Sequence, residues 1–161
     1  MLWTKPQLES LAIETAKKYN LDPDIVTSII TVESAWNVYA MRYEPAYKYL
    51  FYPRVCSSNL GITEFTEEAL QKMSYGLFQI MGAVCREYGF KEELIKMCEP
   101  ENNLNFGCIY LKKLFDKYGK EQDVIASYNA GSPRLTEGKM YSNQRYVDKV
   151  YTILNEKRKL K

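Results

Sequence analysis

The sequence predicts a single all-α domain over residues 1–161, and three observations support this fold class. A chain of 161 residues has the length of one compact domain with one hydrophobic core. Apolar residues recur at helical spacing through most of the chain, and no segment shows a convincing alternation of the kind that marks strands. Polar, glycine and proline residues separate these segments at intervals that suit helices and short loops.

The first two helices carry clear signals at their N-termini. Thr4 is expected to cap a helix that runs to about Asn20, with Gln7 at the spacing of a capping box. The pair at positions 22–23, Asp followed by Pro, supplies an N-cap and an N1 proline for the second helix. We expect that helix to end near Ser34.

The remainder divides into one irregular stretch and a series of shorter helices. We interpret residues 37–65 as a long irregular excursion with one short helix or hairpin, and stretches of this length in a small domain are usually functional. Glycine, proline and asparagine signals delimit the later helices. These are predicted at about 66–73, from Leu77 to Gly89, at 91–98, from Asn102 or Asn103 to Gly119, at 121–130 and at 143–157.

Composition excludes several classes of function. A formal net charge of +2 is too small to indicate a nucleic-acid partner. The absence of histidine excludes imidazole catalysis and His-based metal sites. No two cysteines form a Cys-x-x-Cys pair, so we expect buried free thiols, with one or two bridges as the alternative outside the cytoplasm. The cysteines are Cys56, Cys85, Cys98 and Cys108. We therefore expect no metal and no cofactor.

One carboxylate interrupts the apolar pattern of the second helix. Val26, Ile29 and Ile30 stand at i, i+3 and i+4, and Glu33 occupies position i+7 of the same stripe. Burial and the negative end of the helix dipole both disfavour a charge there, so we expect a raised pKa for Glu33, as a general acid requires. The alternative is a carboxylate at the rim of the core that an arginine or a backbone amide satisfies. Spacing does not separate the two.

Four sequence blocks occur in a fixed order around this carboxylate. They are Glu-Ser-Ala-Trp-Asn at 33–37, Ser-Tyr-Gly-Leu-Phe-Gln-Ile-Met-Gly at 74–82, Ala-Ser-Tyr-Asn-Ala-Gly at 126–131 and Asn-Gln-Arg-Tyr-Val at 143–147. In this order they resemble lytic transglycosylases of the goose-type-lysozyme-like (SLT-domain) family, over about residues 8–155. Two residues depart from the family pattern: Phe78 stands where Met is usual, and Ser127 separates Ala126 from its Tyr.

The resemblance implies a lysozyme-like fold and an enzyme that cleaves the β-1,4 bond between N-acetylmuramic acid and N-acetylglucosamine in peptidoglycan glycan strands. Glu33 would be the single general acid/base, and the product would carry a 1,6-anhydromuramic end. The resemblance also implies a set of substrate-binding residues, namely Ser74, Gln79, Tyr128, Asn129 and Tyr146. Each has a structural alternative: a local cap for Ser74, a helix-end amide for Gln79 and Asn129, and an aromatic at the core edge for Tyr146.

Glu44 leaves a second enzymatic reading open. The segment at 42–45, Arg-Tyr-Glu-Pro, resembles one found in some phage wall-degrading enzymes. If Glu44 faces the cleft as a second acid, it would position water and make the protein a hydrolytic muramidase; otherwise it is a loop carboxylate paired with Arg42. A more distant alternative is a non-catalytic module that binds glycan or belongs to a wall-spanning machine, although such a module has no use for Glu33 in an apolar stripe.

The same sequence gives expectations for location and assembly. No apolar run approaches the roughly 20 residues of a membrane span, and no basic segment leads into an apolar one at the N-terminus. We expect a monomer without membrane insertion, made in the cytoplasm and acting on the cell wall after release, as in a phage endolysin that depends on a holin. A domain of a larger exported protein is the alternative. The basic tail at 157–161 is expected to be frayed.

Overall fold

The computed structural model describes residues 3–160, and the chain divides into two compact units. One, here called the helical unit, combines the chain up to Val32 with the chain from Cys108 onward. The other, here called the mixed unit, is Glu33–Gly107. Helices dominate the described residues and one small sheet accompanies them, which confirms the all-α class. That the whole chain is one domain stays a prediction.

Most elements follow one another with short connections, except for the segments 44–52 and 131–143. The helices are α1 Lys5–Lys18, α2 Pro23–Ser34, α3 Pro53–Leu60, α4 Glu64–Gln71, α5 Gly82–Glu87, α6 Pro100–Tyr118, α7 Glu121–Ala130 and α8 Gln144–Lys159. The strands are β1 Met41–Tyr43, β2 Met73–Tyr75 and β3 Ile80–Met81, and a 3₁₀ helix spans Leu94–Cys98.

The helical unit confirms the predicted helix starts. The side-chain oxygen of Gln7 accepts a hydrogen bond from the Thr4 amide at 2.9 Å, and Asp22 Oδ1 accepts one from the Asp24 amide at 2.9 Å. α7 packs against α8. Fully buried aliphatic side chains form the core of this unit, among them Ile29, Ile30, Leu111, Ile125, Val150 and Leu154.

Two expectations for this unit need correction. The first is the single inward face that the spacing from Val26 to Glu33 indicated for α2. All six residues of Ile25–Ile30 are buried, so this part of α2 is enclosed on every side and no one face is distinguished by burial. The basic tail is also not frayed up to Lys159, because α8 extends to that residue and Arg158 Nη2 lies 3.1 Å from Asp22 Oδ2. Lys161 lies outside the described residues.

The mixed unit contains an antiparallel sheet in the order β1-β2-β3. Met41 pairs with Tyr75 in the first ladder, and Ser74 pairs with Met81 in the second. The helix predicted to begin at Leu77 is therefore wrong over its first turns, since a tight turn and β3 precede α5. The apolar residues there are buried as expected, but long-range hydrogen bonds determine the backbone.

The 37–65 excursion holds more regular structure than expected. It contains β1, then a loop, then α3 and the first residues of α4, and α3 packs against α4. Gln71 joins the loop to α4, because its Oε1 accepts from the Phe51 amide at 2.7 Å and its Nε2 donates to the Phe51 carbonyl at 3.0 Å. A buried side chain thus satisfies the loop backbone in place of a strand partner.

The remaining helix boundaries differ modestly from expectation. α4 begins two residues earlier than predicted, and the 91–98 helix is a 3₁₀ turn from Leu94. α6 begins at Pro100, so neither Asn102 nor Asn103 is its N-cap. Within the described residues the four cysteines are free thiols, but only Cys85 and Cys108 are buried as expected, whereas Cys56 and Cys98 are half-buried.

Candidate functional site

Glu33 lies one residue before the end of α2, where the backbone is tightly constrained. α2 ends at Ser34, and the next two residues, Ala35 and Trp36, adopt left-handed φ values of 50° and 69°. Such values are costly for residues other than glycine and persist only where surrounding contacts demand them. Ser34 Oγ donates to the Leu77 carbonyl at 2.8 Å, and Trp36 is buried. The half-buried Glu33 therefore lies next to a backbone segment whose conformation is restricted by the hydrogen bond from Ser34 to the Leu77 carbonyl.

The structure brings Ser74 and Gln79 together across the β2–β3 turn. The Ser74 hydroxyl is 2% exposed and donates to Gln79 Oε1 at 3.0 Å. Gln79 Nε2 donates to the carbonyls of Ala40 at 2.9 Å and Gly76 at 3.0 Å. The side-chain amide of Gln79 thus joins this turn to the loop before β1. Its Nε2 group is used in these bonds, but its Oε1 can accept a further hydrogen bond from a ligand.

Asn103 is a positioning residue that the sequence reasoning missed. Its side chain is fully buried, its Oδ1 accepts from the Phe78 amide at 2.8 Å, and its Nδ2 donates to the carbonyls of Tyr75 and Met97 at 2.8 Å. Gly76 lies in between with φ +64°, and a Cβ there would meet Asn103 Nδ2 at 2.5 Å. An amide inside the apolar stripe of a helix was the available signal, but two of its three partners, Phe78 and Tyr75, lie 25 and 28 residues away.

The departure at Phe78 has a structural counterpart in α6. Phe78 is fully buried, and a Cβ built on Gly107 would come within 2.1 Å of its ring. The missing side chain at Gly107 therefore makes room for the aromatic ring next to Gln79. A glycine in the interior of a long helix, costly by itself, is explained by this contact.

Glu44 is engaged by its neighbour in the chain. Its carboxylate forms an ion pair with Arg42 Nε, and its amide donates to the Lys72 carbonyl at 2.8 Å. The Glu44 side chain is 35% exposed and that of Arg42 is 71% exposed. The ion pair with Arg42 is thus present, and the role of Glu44 as a second acid stays a prediction.

In the helical unit, Tyr128 and Asn129 lie in the last turn of α7. Tyr128 is 8% exposed, and its ring packs on that of Tyr110 with centroids 5.5 Å apart and planes tilted by 49°. Asn129 is exposed, and its Oδ1 accepts from Asn143 Nδ2 at 3.0 Å. The half-buried Tyr146 lies in the first turn of α8, where its amide donates to the Asn143 carbonyl at 2.8 Å.

Asn143 thus joins the two helix ends that carry these residues. Besides Asn129, its Nδ2 donates to the Ala126 carbonyl at 3.0 Å. Over residues 3–160, Asn129 uses its side chain in this one hydrogen bond, so its amide NH₂ group remains available to a ligand. Among the same residues there is no group of three acidic, Cys or His side chains that could hold a metal ion.

A mostly helical fold with a small antiparallel sheet and a carboxylate at the end of a buried helix define a lysozyme-like domain. The model of the Transglycosylase SLT domain family matches residues 10–150, and the chain belongs to that family. Within the described part of the chain, no helix is long and apolar enough to cross a membrane.

Several curated proteins are similar to this chain. Membrane-bound lytic murein transglycosylase C of Actinobacillus pleuropneumoniae serotype 5b (strain L20) is 23% identical over 148 residues, which cover 87% of this chain and 35% of that protein. The protein of the same name from Histophilus somni (strain 2336) is 23% identical over 159 residues, covering 88% and 38%. X polypeptide of Escherichia coli is 26% identical over 137 residues, covering 85% and 68%. The chain thus spans little more than a third of the two transglycosylases.

Proposed function

We propose that this chain is a peptidoglycan lytic transglycosylase with Glu33 as its single general acid/base. It cleaves the β-1,4 bond between N-acetylmuramic acid and N-acetylglucosamine and leaves a 1,6-anhydromuramic end. Family membership over residues 10–150 and the names of the two transglycosylase relatives support the reaction class. The half-buried carboxylate at the constrained end of α2 supports the choice of acid.

The proposed reaction needs one carboxylate because the substrate supplies the other groups. Protonated Glu33 gives its proton to the glycosidic oxygen as the bond from that oxygen to C1 of the muramic residue breaks. The muramic 2-acetamido carbonyl stabilises the positive charge that develops at C1. The C6 hydroxyl oxygen then bonds to C1, and its proton returns to the Glu33 carboxylate. No water is consumed, and Glu33 ends in its starting protonation state.

The ion pair of Glu44 with Arg42 is the observation that favours this reaction over hydrolysis. A hydrolytic glycosidase generally needs a second carboxylate to activate water or attack C1. Glu44 is the second acid that the sequence offers, and its charge is engaged by a guanidinium. The C6 hydroxyl is tethered to the reacting sugar, so its effective concentration exceeds that of unpositioned water.

The proposed substrate contacts fall into two groups. Asn129, with its free amide NH₂, hydrogen-bonds an N-acetyl group, while Tyr128 and Tyr146 supply ring and hydroxyl contacts to the sugars. Gln79 contributes an acceptor oxygen, and the buried Ser74 holds the Gln79 side chain and so maintains the turn to which Ser34 is bonded. We further propose that the chain reaches the cell wall after release from the cytoplasm, as an endolysin would, or as part of an exported protein.

Analysis of the digestion products tests the proposal. Purified peptidoglycan is digested and the soluble muropeptides are measured by mass spectrometry, because anhydro and reducing ends differ by one water. We expect anhydro ends to dominate, and Glu44→Gln to weaken lysis much less than Glu33→Gln. Reducing ends together with an inactive Glu44→Gln protein would instead establish a two-carboxylate muramidase. Binding of glycan without any cleavage would establish the non-catalytic module.

A further inference from the structure

A pocket of about 530 Å³ opens in the mixed unit, and the proposed reaction does not use it. Its apolar lining residues include Phe51, Tyr52, Val55 and Phe90. The Phe51 and Tyr52 rings meet edge to face with centroids 4.9 Å apart. Pockets of roughly 300–1,000 Å³ with apolar walls are typical small-ligand sites.

Tyr52 places an aromatic ring at the mouth of this pocket at a conformational cost. Its backbone is left-handed, with φ 40° and ψ 57°, directly before α3, and its side chain is 68% exposed. A bulky residue in this region is strained, and such strain is concentrated at binding sites. The Tyr52 carbonyl accepts the first hydrogen bonds of α3, from the Val55 and Cys56 amides at 3.0 and 3.1 Å, so the start of the helix holds this backbone. The exposed ring is thereby kept at the pocket, where a ligand can contact it.

The floor of the pocket is charged but electrically balanced. Arg86 is buried, and its Nε and Nη2 lie 2.7 and 3.1 Å from the two oxygens of the buried Glu67. Its Nη1 donates to the Phe90 carbonyl at 2.8 Å. The guanidinium is therefore occupied, and the floor is not an anion site for phosphate or sulfate.

The rim carries three exposed polar groups of different kinds. Glu87 supplies a carboxylate, Lys91 an ammonium and Asn59 an amide. This pattern fits a ligand with a short apolar body that bears both an anionic and a cationic group. A neutral sugar also stacks on aromatic rings, but it offers no charge to Glu87 or Lys91, whereas a ligand with both charges pairs with each.

We infer that this pocket binds the peptide stem of peptidoglycan. A stem carboxylate pairs with Lys91, the ammonium of the stem diamino acid pairs with Glu87, and Asn59 bonds a stem amide. Alanine methyl groups and the methylene chain of the diamino acid lie between Tyr52 and Phe90. The inference rests on the proposed function, because it takes the same polymer as substrate.

Cys56 provides a direct readout, since it lines the pocket and is a half-buried free thiol. Cys98 is also half-buried and free but does not line it, which makes it an internal control. Burial raises the pKa of both thiols, so alkylation is measured at mildly alkaline pH. The probe is the free stem tetrapeptide L-Ala-γ-D-Glu-meso-diaminopimelate-D-Ala, added to the Glu33→Gln protein. We expect the peptide to slow alkylation of Cys56 at least fivefold and to leave Cys98 unchanged.

Variants of the pocket make the test specific. Lys91→Glu reverses the charge expected to meet a carboxylate, and Val55→Trp fills the cavity. Each should weaken peptide binding by calorimetry about tenfold or more. Lys113→Glu makes the same charge change at an exposed lysine in α6 and should bind like the parent.

Two outcomes overturn the inference: no protection of Cys56 at millimolar peptide, or protection by an N-acetylglucosamine oligomer in place of the peptide. Unaltered peptide binding by both Lys91→Glu and Val55→Trp would overturn it as well. Wild-type lysis without peptide binding counts against this inference alone. Peptide binding without lysis by the wild type supports the pocket and counts against the proposed reaction.

Discussion

The two units differ in how they use buried polar side chains. In the helical unit the buried polar residues are hydroxyls, and Thr27 and Ser127 bond carbonyls one turn back in their own helices, at 2.8 and 2.6 Å. The mixed unit buries the hydroxyls of Ser57 and Ser74 as well, but in addition it buries charged and amide side chains that bond other segments. These are Glu67, Gln71, Arg86 and Asn103.

Backbone strain follows the same division. Four residues other than glycine have left-handed φ in the mixed unit, against two among the described residues of the helical unit. They are Ala35, Trp36, Tyr52 and Gln79 in the former and Asn20 and Lys139 in the latter. The helical unit thus depends on local periodicity and apolar packing, whereas single side chains in the mixed unit satisfy distant backbone. We expect the mixed unit to be more sensitive to one substitution.

The largest expected effect is on the rate of lysis, and it distinguishes the proposed acid, Glu33, from a proposed substrate contact, Asn129. Glu33→Gln in the mixed unit should lower kcat for lysis by roughly 10²–10⁴-fold, because glutamine cannot donate an acidic proton. Asn129→Ala in the helical unit should lower kcat/KM by no more than about tenfold, the effect of one neutral hydrogen bond. Steady-state kinetics, with circular dichroism to verify folding, provide the measurement. Wild-type kcat in the Glu33→Gln protein would refute the single-acid mechanism.

The next prediction compares one arginine from each unit. Arg86→Met leaves Glu67 buried and uncompensated, so the free energy of unfolding should fall by about 3–5 kcal/mol. Arg158→Met removes two half-exposed ion pairs in the helical unit, with Glu121 and with Asp22, and should cost less than about 1 kcal/mol. Urea unfolding at pH 7 measures both. Equal losses would contradict the division drawn between the units.

A third prediction concerns the contact of Gly107 with Phe78. Gly107→Ala adds a methyl group where 2.1 Å separates it from the ring, so unfolding should become about 1–3 kcal/mol easier despite the better helix propensity of alanine. Phe78→Leu combined with Gly107→Ala should recover part of the loss by thermal unfolding. If Gly107→Ala alone stabilises the protein, the ring is not confined as described.

The smallest effect is a pH dependence in the helical unit. Hydrogen bonds from Arg158 lower the pKa of Glu121 in the folded state. Such a carboxyl contributes stability above its unfolded pKa, roughly 4.3, and that stability is lost as pH falls through the lower folded value.

Arg158→Met should therefore make the decline of stability below about pH 5 shallower. Part of the lowering will remain, because Tyr151 also donates to Glu121 at 2.7 Å. Urea unfolding from pH 7 to pH 3 gives the slope, and Lys112→Met, which removes an exposed pair within α6, is the control. A slope identical to that of the parent would show that the pair is not formed in solution.

Several features of the candidate site could be anticipated from sequence, because local signals suffice for them. The start of α2 followed from Asp22 and the end of α7 from Gly131. The order of the four blocks indicated the family that the match over residues 10–150 confirms. The roles of Glu33, Tyr128 and the other predicted site residues stay predictions.

By itself the sequence determined the helical class and the positions of most helices, since periodicity and caps act over a few positions. Tertiary structure alone decided that residues 77–81 form a turn and a strand, and that Gln79 bonds Ala40. It also decided the pairing of Glu67 with Arg86 and the role of Asn103. These outcomes depend on buried donors and acceptors finding partners 19 to 39 residues away, and no local pattern encodes which distant group will be near enough to bond.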